Sequence, residues 1–68
     1  MGISIRKAVL DNLSHSDSST IRATIEDAIH LGEDKVLPGL GVMFESLWNK
    51  ASEQDKQVIL NYLVSCVN

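Results

Sequence analysis

Cysteine is nearly absent from this 68-residue chain: Cys66 stands alone, so no internal disulfide framework can form, and a reducing interior is the natural setting. Long apolar runs are missing too. No stretch approaches the length of a membrane span, and the first residues do not form a signal peptide, so the expectation is an intracellular protein with no membrane partner. Positive charge is scarce. Six Lys and Arg side chains face nine Asp and Glu, a net charge of −3. Phosphate binding needs several cations on one face, because each contact contributes through released counterions. Here Arg6-Lys7 is the one local cluster, and Arg22, Lys35, Lys50 and Lys56 are scattered. The balance argues against nucleic acid as a main partner. Sustained two-residue alternation is also lacking, so no sheet is expected, and no internal repeat divides the chain.

What is present is helical periodicity. With 44% apolar residues the chain can build one small core, and residues 1–68 form a single domain. Ser4 reads as the N-cap of a helix over about 5–13, with Ile5, Val9 and Leu13 along one face. "SHSDSS" (14–19) is a polar loop, in which Ser or Asp near the end can cap a second helix from about 19 to 31. In that helix Ile21, Thr24, Ile25, Ala28, Ile29 and Leu31 oppose Arg22, Glu26, Asp27 and His30. Gly32 follows as a left-handed C-cap.

A third helix is expected over about 39–50, started by Pro38. Leu40, Met43, Phe44, Leu47, Trp48 and Ala51 converge on its wheel, and Val42 lies off that face. Ser52 and Asp55 resemble a capping box for a fourth helix, about 53–66, which would bury Val58, Ile59, Tyr62, Leu63 and Cys66. Leu60, Val64 and Val67 widen its apolar face and are either extra core or a contact surface. The fold class expected is all-α, a compact bundle of about four short helices.

The candidate chemistry is thin. His15, with Ser14, Ser16 and Asp17, has the letters of a nucleophile and base, but a polar loop on so small a domain supplies no dry enclosure. Glu26 and His30 are four apart and would share a face, yet a structural zinc wants four ligands, usually with cysteine. Cys66 reads as a small buried hydrophobe, with a reactive thiol as the other possibility. No catalytic, cofactor or metal residue is assigned. The stretch 37–48, "LPGLGVMFESLW", lacks the spacing and the lysine of a phosphate loop. Leu37, Pro38, Gly39, Leu40, Gly41, Phe44 and Trp48 are therefore assigned as a structural motif and possible contact surface. The glycines would permit a turn or a close approach, and the two rings would anchor the core.

"TIEDAIHLGEDKVLPGLGVMFESLWNKASEQDK" (24–56), with "GEDKVLPGLGVMFE" as its specific core and "IRKAVLDNL" (5–13) before it, resembles the minor small acid-soluble spore proteins of type I from Bacillus-type endospore formers. The resemblance implies production in the forespore and residence in the spore core. It implies no enzyme and brings no functional residues with it. The DNA-coating role of the major α/β-type spore proteins does not transfer, since their sequence pattern is not visible here. A non-enzymatic spore-core protein with a protein-contact or structural role, its partner an unknown protein or a weak homodimer, is the leading expectation. A DNA- or chromatin-associated module is the alternative.

Overall fold

The computed structural model describes residues 4–68, and among them it is all-α, as the periodicity predicts: α1 (Ile5–Leu13), α2 (Ser18–Leu31), α3 (Leu37–Lys50) and α4 (Glu53–Val67). α1, α2 and α4 each begin where a side chain satisfies one of the first free N–H groups. The Ser4 hydroxyl accepts from the Lys7 N–H at 3.1 Å, the Asp17 carboxylate from the Thr20 N–H at 2.9 Å, and the Ser52 hydroxyl from the Asp55 N–H at 3.1 Å. Asp17 thus decides between the two candidate caps, and α2 starts one residue earlier than the sequence suggests.

The breaks are as local as the starts. Between α1 and α2 the chain turns through His15 at φ 64°, a left-handed conformation uncommon outside glycine. α2 stops at Gly32, φ 67°, whose N–H donates to the Ala28 carbonyl at 3.3 Å. A short 3-10 turn over Asp34–Val36 then feeds α3, which begins two residues before the expected start and takes Pro38 into its first turn. Proline is suited there, because its missing N–H would have no helical partner.

Gly39 and Gly41 lie inside α3, neither at positive φ, and beyond the local backbone of the helix itself no atom stands within 4 Å of a Cβ built on either. The expected turn or close approach is therefore not what they provide. α1 packs against α3 as the closest helix pair, and the Arg6 guanidinium grips the Glu45 carboxylate across it, Nε to Oε1 at 2.5 Å and Nη2 to Oε2 at 2.9 Å.

Burial corrects the wheel. Among the described residues the buried apolar side chain is Val42, 9% exposed, which the wheel had set off the core face. Val42 lies one turn from Glu45, the residue that Arg6 of α1 grips, and so on the side of α3 turned to α1, the helix packed closest to it. Phe44, expected to fill the core, is 42% exposed, while Trp48 is half-buried. On α4 Ile59 is half-buried, but Val58, Tyr62, Leu63 and Cys66 are exposed rather than buried. The grooves that α4 shares with α3 involve the C-terminal half of α3, Phe44 to Lys50, and among the described residues everything from Leu60 onward is exposed.

Candidate functional site

The chain's open apolar surface is its most distinctive feature, and it is built in three adjoining parts. The first is a groove of about 500 Å³ floored by α3. Leu10 and Leu13 of α1, Ile21 and Ile25 of α2, and Leu40, Met43, Phe44 and Leu47 of α3 line it. Ser46 is the one polar residue there, and its hydroxyl already donates to the Val42 carbonyl at 2.9 Å. The groove has nothing with which to orient a polar substrate, so it suits an apolar side chain of another molecule.

The second part lies across the same floor, where Ile5, Val9 and Leu13 face Thr24, Ala28 and the start of α3. Pro38, Gly39 and Leu40 of the LPGLG motif line it. Leu37, 57% exposed, and Gly41 are also exposed at this end of α3. The third part joins α3 to α4. Phe44 and Trp48 stack with ring centroids 6.1 Å apart and planes at 28°, and with Leu60 and Leu63 they wall a shallow groove. Lys56 lays its ammonium over Trp48, 5.3 Å from the ring centroid, a cation–π contact from α4 that ties the two helices. The motif singled out in the sequence thus lies along α3, touching all three parts. Its aromatic half is an open platform more than a buried anchor.

Charge is arranged in pairs. Lys7 meets Asp11 at 2.6 Å, Arg22 meets Glu26 at 2.6 Å, Lys35 meets Glu33 at 3.1 Å, and Lys56 meets Glu53 at 3.5 Å, in addition to Arg6 with Glu45. Among the described residues Lys50 is the cation without such a pair. The Arg6-Lys7 cluster is therefore divided between two carboxylates. Hydrogen bonding from Arg6, reinforced by its charge, holds the Glu45 carboxyl below its usual range, and the same contact raises Arg6. Asp17 is lowered chiefly by the Thr20 N–H, then by hydroxyl donors.

The residues that invited a chemical reading are separated. The Glu26 carboxylate is turned to Arg22 rather than reserved for His30. His15 sits exposed in its turn, and Ser14 ends α1. Among the described residues no three His, Cys, Asp or Glu side chains gather closely enough to hold a metal ion. No helix among them is long and apolar enough to cross a membrane. Sequence reasoning missed the groove and the Arg6–Glu45 clasp. The groove's apolar residues were visible as stripes but assigned to the interior, and a contact between positions 39 apart leaves no trace in spacing.

Comparison with known proteins places this surface in a lineage. Residues 3–67 match the family model described as small, acid-soluble spore protein I. The small, acid-soluble spore protein I of Geobacillus kaustophilus is 43% identical over 67 residues, covering 98% of this chain and 97% of that one. The protein of the same name from Bacillus licheniformis is 46% identical over 63 residues, covering 93% and 90%. That of Bacillus cereus is likewise 46% identical over 63 residues. No solved structure matches. A match over nearly the whole length, including the 32–45 stretch around which the grooves are built, leaves one assignment: the chain belongs to the small, acid-soluble spore protein I family.

Proposed function

We propose that this protein is a non-enzymatic component of the spore core, made in the forespore during sporulation, that works by contact with another protein. The observation that carries this reading is the α1–α2–α3 groove, lined by apolar side chains and by Ser46, whose hydroxyl is already bonded to the Val42 carbonyl. Catalysis needs a positioned acid, base or nucleophile, whereas this surface offers area and shape. Contact surfaces of apolar centre and polar rim are how proteins recognise one another. The paired cations support protein over DNA as the partner, since a Lys or Arg must give up its carboxylate before it can neutralise a phosphate.

Affinity capture from disrupted spores, with and without DNase, tests the reading. Leu10 and Leu47 line the groove and are 44% and 53% exposed, so Leu10→Asp and Leu47→Asp place a charge in the groove, and circular dichroism of each variant checks that the helices are kept. A captured protein that survives DNase and is lost with these variants is the expected result. Association that vanishes with DNase and ignores both substitutions would assign the protein to chromatin instead.

A further inference from the structure

We propose that a second copy of this chain covers the C-terminal half of α4, in an isologous, antiparallel helix pair. The inference rests on the contact reading above and names one partner within it. From Gln57 to Asn68 the sequence has no charged residue, and every residue from Leu60 to Asn68 is exposed. Leu60, Leu63, Val64 and Val67 follow the i, i+3, i+4, i+7 spacing that puts four side chains in one stripe. They are 42%, 40%, 60% and 80% exposed. The stripe continues into Phe44 and Trp48 through the groove that Leu60 and Leu63 share with them. This is the spacing at which two helices interdigitate their side chains.

Area favours a cover of this size. The chain exposes 5787 Å², whereas a folded monomer of its mass exposes about 4,200 Å². The surplus is about 1,600 Å² over the whole surface, stripe and grooves together, and a stable complex of ordinary size removes roughly 800 Å² from each partner. Chemistry favours a copy as the cover. An isologous contact sets the stripe against the same stripe of the other copy, so a stripe bearing charge of one sign would face charge of that sign. An uncharged stripe escapes that repulsion, in a protein whose net charge of −3 otherwise opposes self-contact. The direction follows from the other end of the helix. Glu53 and Asp55 sit in the first turn of α4. A parallel pair would crowd four carboxylates together, while an antiparallel pair separates them and opposes the two helix dipoles.

Sedimentation equilibrium of the full chain, from micromolar to millimolar, tests the proposal. The expected result is a monomer–dimer equilibrium that added salt does not weaken, because no ion pair crosses the contact and salt screens the repulsion between the two anionic copies. Val64→Glu and Val67→Glu alter residues already exposed in the single copy. Each should keep the parent's helical circular dichroism and weaken the dimer roughly tenfold or more. A chain that stays monomeric throughout, a dimer indifferent to both variants, or one broken by Leu10→Asp in the groove would each overturn it. Spore capture with Val64→Glu separates the two readings. If the parent is monomeric and the capture persists, self-pairing is gone and the protein-contact reading stands.

Discussion

At the scale of single residues, glycine divides into two kinds. Gly32 at φ 67° occupies backbone that a side chain resists, although the nearest atoms to an added Cβ, the Ile29 and His30 carbonyl oxygens at 3.9 Å, would make only ordinary contact. Gly41 occupies ordinary helix with open space where a Cβ would be, and there glycine only costs order. Gly32→Ala should therefore lower the unfolding midpoint by about 1 kcal/mol of stability, whereas Gly41→Ala should raise it by up to about 1 kcal/mol; urea titration followed by circular dichroism reads both. Val42 and Phe44 invert the ranking that size suggests. Removal of a large ring from a filled core costs ~3–5 kcal/mol, but Phe44 is 42% exposed, so Phe44→Ala should cost about half that. Val42→Ala, a much smaller excision, should cost about 2 kcal/mol and come close to it. A Phe44→Ala protein that fails to fold would mean that the ring is enclosed after all.

At the scale of elements, the helices were legible because their causes are short-range. Ser4, Asp17, Gly32, Pro38 and Ser52 each act within four residues of themselves, and a sequence displays such causes directly. What α3 turns toward its neighbours was not legible, because Arg6 lies in a different helix from Glu45 and periodicity ranks only the apolar stripe of one helix at a time. The same clasp makes helix pairing sensitive to acid. Glu45 and Asp17 both titrate below their unfolded values, so the stability they contribute is present above about pH 4 and is lost as pH falls through their folded values. Circular dichroism between pH 7 and pH 2 should show helix loss at the acid end. Glu45→Gln should begin less stable at neutral pH and lose less on acidification. Parallel acid curves for the two proteins would remove Glu45 from the account.

At the scale of the whole molecule, the pairing of charge matters more than its total. Five of the six cations contact carboxylates, so duplex DNA at physiological salt should produce no shift at micromolar protein in a gel assay. A salt-sensitive shift there would favour the chromatin reading. The grooves work at this scale too. Two are made by α1, α2 and α3 meeting imperfectly and the third by α3 and α4, and no single stripe shows that its partners leave it half covered. The family assignment was legible in residues 32–45 and the role was not, since a contact surface is defined by what it meets.

The ion pairs have one more consequence, which concerns preparation. Acid protonates the carboxylate half of each pair and leaves the basic half charged. The two histidines then join six lysines and arginines with no opposing charge. The anionic protein becomes a polycation, kept in solution by its own repulsion while its fold loosens. Such a chain would adhere to any nucleic acid in the same extract. Binding measured on acid-extracted material reports that polycation, and measurements at neutral pH report the folded protein.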